Sequence, residues 1–294
     1  MTLKPLALLA LASSTFFFSC STSEKKEQHD DVTDSTTVIT DTLATENEEE
    51  SDVSYNLPSA LQIAYVFKKS GSEFNMALLN NKSNTGKYNT SNYKRATNFG
   101  VYSADLAYCV FNKKYQESKD YLKAGKEMGA MLGLNQAFEG DNMAQRFEKN
   151  ISNEDSVIKV VGNIQLKTDV LFEQNKQKHI TAIAFAGAWI ESAYIASQVY
   201  KKDKNKKTLA GLLEQLYLGK TLAKALTHYQ KTEPEMPSLI VAVEKINTAF
   251  NSLSAIKKAM DKDEELDFSK TSITDDELNS IVESIASLRN SIVD

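Results

Sequence analysis

The residue best placed to do chemistry is Glu191, which interrupts a strongly apolar stretch from Ile180 to Tyr200. A carboxyl group in such surroundings must be paired, held neutral by a raised pKa, or exposed in a cavity. Three roles are therefore open to Glu191. It could be buried against a Lys, an Arg or a Tyr hydroxyl, it could contact a ligand in a groove between helices, or it could be an acid catalyst. Trp189, two residues earlier, is a further candidate ligand contact.

Asp105 is a second candidate of the same kind, because it stands between Ala104 and Leu106 in an apolar helical pattern. It has the same alternatives as Glu191, and it could instead lie on the solvent side of its helix. The histidines lack the paired spacing that a zinc or di-iron site on helices requires, and no phosphate-binding loop or glycine-rich nucleotide fingerprint occurs. We therefore predict no metal and no cofactor.

The four residues from Trp189 to Ser192 suggest one specific reaction. Trp-Ile-Glu-Ser resembles the catalytic Glu-Ser of lytic transglycosylases, in which an acid on a helix protonates the glycosidic oxygen. This resemblance implies that Glu191 would be the acid, although no Gly-Leu-Met-Gln stretch follows it. An enzyme acting on cell-wall glycan is accordingly the alternative hypothesis, and a non-catalytic body is the preferred one.

The first twenty residues indicate where the protein is found. Lys4 precedes an apolar run from Leu6 to Phe18, which would span only about 20 Å as a helix and is too short to cross a hydrocarbon core of about 30 Å. The run is typical of a signal peptide. Phe17-Phe18-Ser19-Cys20 resembles the lipobox of bacterial lipoproteins, which implies that residues 1–19 are removed and that Cys20 is acylated and anchors the chain to a membrane.

The segment after Cys20 has the composition of a tether. Residues 21–52 contain eleven acidic side chains and two lysines, and they hold almost no aromatic residues. Such a segment cannot bury enough apolar surface to offset its ordering entropy, so residues 20–54 are predicted to be an acylated cysteine followed by a disordered acidic linker. The chain from Val53 onward carries a net charge of only +3, which gives no strong field for nucleic acid, and we predict no nucleic-acid partner.

The remaining residues, 55–294, predict a single all-α domain of about eight to ten helices, either an antiparallel bundle or an irregular helical array. Only four Pro and eleven Gly occur in the whole chain, too few for many β-turns.

The stretch from Ile180 to Tyr200 is apolar all round and is predicted to be the central helix, with a membrane span as the alternative. Thr274 and Glu277 predict a capping box at the last helix. Residues 80–92 are predicted to form a loop with a recognition site at its tip.

Two further resemblances bear on fold and function. Tyr115-Gln116-Glu117-Ser118, followed by Tyr121-Leu122, resembles the second helix of a tetratricopeptide unit, which implies that the fold contains such hairpins. The folded part as a whole is similar to helical exported lipoproteins whose roles are unassigned. We therefore expect a lipid-anchored binding or scaffolding domain in the cell envelope, held at the outer membrane of a Gram-negative bacterium through Cys20, with an envelope protein or glycan as its partner.

Overall fold

Helices form nearly all of the structure, which is a computed structural model that describes residues 57–58, 60–139 and 142–294. No strand occurs in these ranges, so the prediction of an all-α fold is confirmed for the described part of the chain. The predicted signal peptide (1–19), Cys20 and the predicted acidic linker (20–54) lie outside the described residues. All described residues fall within one compact unit.

Twelve α-helices and two short 3₁₀-helices follow one another in the described ranges. The 3₁₀-helices, Met76–Leu78 and Lys82–Tyr88, lie between the first and second α-helices. The α-helices are α1 Ala60–Ser70, α2 Asn92–Phe111, α3 Tyr115–Met131, α4 Asn135–Glu139, α5 Met143–Lys149, α6 Glu154–Gln174, α7 Lys178–Asp203, α8 Lys206–Tyr217, α9 Gly219–His228, α10 Met236–Asn251, α11 Ser254–Asp261 and α12 Asp275–Val293.

This number exceeds the predicted eight to ten mainly because two long amphipathic stretches are each divided. The chain turns at Leu218 between α8 and α9, and again at Ser252 and Leu253 between α10 and α11. At the second break the apolar residues keep helical spacing, from Phe250 to Leu253 and Ile256. Since a sequence pattern reports only phase, it does not reveal a change in the direction of the helix axis.

Local signals account for where several helices begin. At α12 the Thr274 side chain accepts the Glu277 backbone N–H, and the Glu277 carboxylate accepts the Thr274 backbone N–H, so the predicted capping box is confirmed. At α6 the Asn153 side chain accepts the Ser156 backbone N–H at 2.9 Å. Such caps satisfy backbone donors that have no partner within the helix.

Helix α7 is the centre of the domain. It packs most extensively against α2 and also contacts α1, α6, α8, α9 and α12. Its length and apolar character would allow it to cross a membrane, but 83% of its most apolar window is buried inside the protein. That burial is what a core helix shows, and the prediction of a central helix is confirmed.

Two glycines explain how closely α2 and α7 pack. A Cβ atom built on Gly100 of α2 would overlap the carbonyl oxygen of Ala184, and one built on Gly187 of α7 would overlap the carbonyl oxygen of Thr97. The helices therefore touch backbone to backbone. Only glycine at both positions permits this approach.

The segment before α2 differs from the predicted loop. Residues 82–88 form a 3₁₀-helix, and Tyr88 at its end is only 1% exposed. Asn80, just before it, is 3% exposed. The expectation of a loop was wrong for residues 82–88, whereas a recognition or insertion site among the exposed residues of the segment stays a prediction. Helices α2 and α3 do form a hairpin, joined by Asn112–Lys114, and the tetratricopeptide likeness stays a prediction.

Candidate functional site

Glu191 lies in the middle of α7 and is completely buried. Arg289 of α12 reaches it with a two-pronged contact, in which Nε donates to Oε2 at 2.9 Å and Nη2 donates to Oε1 at 3.0 Å. Burial raises the pKa of Glu191, and the Arg289 guanidinium opposes that rise. The interpretation of Glu191 as a buried carboxylate paired with a cation is thus confirmed, and its partner comes from the last helix.

Arg289 is fixed by further contacts. Its Nη2 donates to the carbonyl oxygen of Leu78 at 3.4 Å, and its guanidinium carbon lies 4.8 Å from the ring centre of Tyr194, one turn after Glu191 on α7. The charged carboxylate keeps the pKa of Arg289 above its ordinary value despite the cost of burial. The guanidinium is therefore held on three sides and stays charged.

Asp105 of α2 is also completely buried and lies beside Glu191. Its Oδ2 accepts the backbone N–H of Asn80 at 3.2 Å. Its Oδ1 has no donor among the described residues, unless Asp105 or Glu191 carries a proton that the two carboxyls share. Burial, and then the negative charge of Glu191, raise the pKa of Asp105 well above its usual range. These two effects favour the protonated form of Asp105 beside the Glu191 carboxylate.

Tyrosine hydroxyls attach the segment before α2 to this pair. Tyr121 donates to the carbonyl oxygen of Asn80 at 2.8 Å, and Tyr102 donates to that of Asn81 at 2.8 Å. Tyr88 donates to the carbonyl oxygen of Val293 at 2.8 Å and accepts from the Asn80 side chain at 3.1 Å. The resulting polar network joins α2, α3, α7, α12 and the 3₁₀ segment.

Trp189 faces a different side of α7. It is fully buried, and its indole nitrogen donates to the carbonyl oxygen of Gln215 in α8 at 2.7 Å. The Gln215 side chain in turn donates to the carbonyl oxygen of Ile63 in α1 at 3.1 Å. Trp189 therefore links three helices of the core, and its polar atom is already satisfied by the protein.

The geometry around the carboxyl pair does not provide an acid catalyst with access to substrate. Glu191, Asp105 and Trp189 line none of the three cavities described for this part of the chain. A general acid must come within hydrogen-bonding distance of the atom that it protonates. In this arrangement both oxygens of Glu191 are occupied by Arg289 and no substrate oxygen can approach them.

Other candidate groups are equally enclosed or solitary. Cys109 is a buried free thiol whose pKa is raised by burial. His179 lies 3.9 Å from the Glu233 carboxylate, and burial lowers its pKa. Within the described ranges no group of three or more His, Cys, Asp or Glu side chains is placed to hold a metal ion.

A cavity large enough for a small molecule lies on the opposite side of α2. This cavity has a volume of about 260 Å³ and lies between α2, α6 and α7. Four aromatic side chains, those of Phe99, Phe172, Phe185 and Tyr229, contribute to its wall, together with Asp169 and Thr168 of α6. A groove of about 370 Å³ lies between α3, α4, α5 and α6 and is lined partly by lysines.

Sequence reasoning found Glu191 and Asp105 but missed Arg289 and Asp169. Arg289 stands in an ordinary amphipathic pattern of α12, and nothing in the sequence indicates that it turns inward. Asp169 lies in α6 next to Val170. The only feature of the sequence that could have pointed to a polar site there is the neighbouring Thr168. Both assignments require knowing which helices are neighbours in space.

The comparisons with known proteins give no family for this chain. No protein family model matches it, and neither a curated protein nor a solved structure is significantly similar to it.

Proposed function

We propose that this chain is a lipid-anchored lipoprotein of the cell envelope, with a non-catalytic helical body that binds or scaffolds another envelope component. The observation that carries the proposal is the position of Cys20 directly after the apolar run and the small residue Ser19. The acidic segment that follows has the composition of a tether that would hold a folded body away from a bilayer. The outer membrane of a Gram-negative bacterium is the proposed location.

The non-catalytic assignment is supported by the internal partners of the only residues that suggested catalysis. Glu191 is held by Arg289, and Asp105 by Asn80 and Glu191. An enzyme acting on cell-wall glycan would need one of these carboxyls to be accessible, and the described geometry does not favour that alternative. The proposed partner is an envelope protein or a glycan that is bound without being cleaved.

The anchor is tested with two cysteine variants. In Triton X-114 extraction, the wild-type chain is expected in the detergent phase and Cys20→Ala in the aqueous phase. Cys109→Ala is the matched control, since Cys109 is the only other cysteine in the chain. Mass spectrometry should find diacylglycerol on the N-terminal peptide that begins at Cys20. An unmodified sulfur in wild-type protein, or equal partition of the two variants, would refute the anchor.

The absence of catalysis is tested separately. Purified wild-type protein and Glu191→Gln are incubated with peptidoglycan sacculi, and released fragments are measured by chromatography. We expect both to give the background level while wild-type protein still co-sediments with, or captures, a defined envelope component. Fragment release that disappears in Glu191→Gln would establish the enzyme instead.

A further inference from the structure

The cavity between α2, α6 and α7 combines an apolar wall with one polar edge. Phe99, Phe172, Phe185 and Tyr229 contribute the aromatic surface, and Gly100, Ala184 and Ala188 line the side where α2 and α7 pack closely together. An engineered cavity of about 150 Å³ in another protein holds benzene. A volume of about 260 Å³ therefore accommodates one aromatic ring with a short side chain.

The polar edge contains an unsatisfied hydroxyl. Thr168 is only 1% exposed, lines the cavity, and its Oγ1 has no hydrogen-bond partner among the described residues. A buried threonine hydroxyl normally has a hydrogen-bond partner, because burying it without one is costly. A ligand group in the cavity would supply the missing partner.

The charged residues of the cavity wall indicate that this ligand group carries a positive charge. Glu173 and Lys178 lie at the rim and form an ion pair of 3.4 Å with side chains 67% and 39% exposed, so this end reaches solvent and its charges cancel. Asp169 then remains as the uncompensated charge. In the described part of the chain it accepts one hydrogen bond, from Gln165 Nε2 to Oδ1 at 3.1 Å. Burial raises the pKa of Asp169 to about 6, which reflects the lack of a neighbouring cation.

We propose that this cavity binds a small primary amine with an apolar, ring-sized body. The ammonium group would pair with the Asp169 carboxylate and donate to the Thr168 hydroxyl, while the body lies against the phenylalanines. A neutral ligand of the same shape would leave Asp169 uncompensated, and an anionic one would be repelled by it. The inference goes beyond the proposed function and does not depend on acylation of Cys20.

Phenethylamine is a suitable probe, with 2-phenylethanol and phenylacetate as its neutral and anionic counterparts of similar size. Binding to the full chain at pH 7.5 is followed by saturation-transfer NMR, with empty lipid nanodiscs as the blank for an acylated preparation. We expect phenethylamine to bind with a Kd on the order of 0.1–1 mM. The alcohol should bind at least about 10-fold more weakly, and phenylacetate should not bind detectably.

Substitutions in α6 locate the site. Asp169→Asn should weaken phenethylamine binding at least about 10-fold and leave the alcohol unchanged, and Thr168→Val should weaken it about 3-fold or more. Asp155→Asn is the matched control, because it makes the same change at an exposed position in the first turn of the same helix. Asp169→Asn removes a charge that is costly to bury, and Thr168→Val removes a buried hydroxyl without a partner. Both variants should therefore fold, which circular dichroism checks.

Three results would overturn the inference. The first is no phenethylamine signal at 10-fold above the expected Kd range. The second is equal binding of the amine and the alcohol, which would show that the carboxylate does not select charge. The third is equal loss of binding in Asp169→Asn and Asp155→Asn, which would place the amine elsewhere on the surface.

Discussion

Replacing Arg289 by Met tests the central claim that the polar network holds the body together and is not a catalytic site. Methionine keeps most of the buried volume but removes the cation that faces Glu191, the donor to Leu78 and the contact with Tyr194. Removing one partner of a buried ion pair usually costs about 3–5 kcal/mol, because the other charge stays buried without compensation. We expect Arg289→Met to lower the free energy of unfolding by that amount at pH 7.

Glu191→Gln should cost much less, about 1–2 kcal/mol, for a reason specific to this site. Asp105 lies next to Glu191, and burial and that negative charge raise its pKa, which favours a proton on Asp105. When Glu191 becomes neutral, Asp105 can release that proton and take over as the counter-ion of Arg289. Arg289 is the one cation among the described residues that acts on Glu191, so loss of Arg289 should cost more than loss of the Glu191 charge.

The pH dependence of Arg289→Met follows from the same arrangement. Without the guanidinium, no cation opposes the effect of burial on Glu191, so its pKa in the folded chain rises further above the ordinary value of 4.5. The folded state then binds more protons than the unfolded state, and stability falls as the pH rises from about 4.5 through the folded pKa. The penalty of Arg289→Met should therefore be smaller at pH 5 than at pH 8.

Urea unfolding followed by fluorescence measures these differences. Trp189 is the only tryptophan and is fully buried in the core, so its emission reports the packing of α7. Arg146→Met is the matched control, since Arg146 is exposed and its replacement should change stability by no more than about 0.5 kcal/mol. The reasoning would be refuted if Arg289→Met cost less than about 1 kcal/mol or if Glu191→Gln were the costlier variant.

Four further substitutions examine other parts of the fold by the same unfolding assay. Gly187→Ala should destabilise the domain by about 3 kcal/mol or more, because its Cβ would overlap the carbonyl oxygen of Thr97, whereas Gly125→Ala has open space and should be neutral or stabilising. Asp169→Asn should add up to about 3 kcal/mol above pH 6 and nothing below pH 3.8, since the pKa of Asp169 rises from its ordinary 3.8 to about 6 on folding. Thr274→Ala should cost about 1 kcal/mol through loss of the capping box. An unchanged midpoint for Gly187→Ala, a pH-independent gain for Asp169→Asn, or a negligible effect of Thr274→Ala would each contradict its own prediction.

The parts of the fold that could be predicted from sequence are those governed by local patterns. The capping box at Thr274 is a matter of spacing along the chain, and the burial of α7 follows from its uniformly apolar composition. The division of the amphipathic stretch from Ser238 to Met260 into α10 and α11 could not be predicted. Its apolar positions keep helical phase through the turn at Ser252, so the pattern is silent about it.

The candidate site shows even more clearly that local sequence patterns do not reveal which helices are neighbours. A carboxyl within an apolar helix indicates that Glu191 needs a partner, and the requirement is physical enough to be predicted without a structure. Which partner it has depends on α12 packing against α7, a contact between residues 98 positions apart in the chain. The 3₁₀ segment was misjudged for a related reason. Its Asn, Ser and Thr residues are typical of loops. However, the hydroxyls of Tyr102 in α2 and Tyr121 in α3 donate to the backbone carbonyl oxygens of Asn81 and Asn80, just before the 3₁₀-helix.

The polar network constrains the position of the C-terminal helix α12, which burial of its apolar face alone would not do. The apolar stripe of α12 would pack against many surfaces, because hydrophobic contacts are not directional. The two-pronged contact from Arg289 to Glu191 and the hydrogen bond from Tyr88 to Val293 each require one rotation and one axial position of the helix. We infer that the buried charges fix the register of α12 on α7. In that case the double variant Glu191→Gln with Arg289→Met should regain part of the stability lost in Arg289→Met, while proteolysis within α12 becomes faster than in wild-type protein. Protection equal to wild type in the double variant would show that apolar packing alone sets the position of this helix.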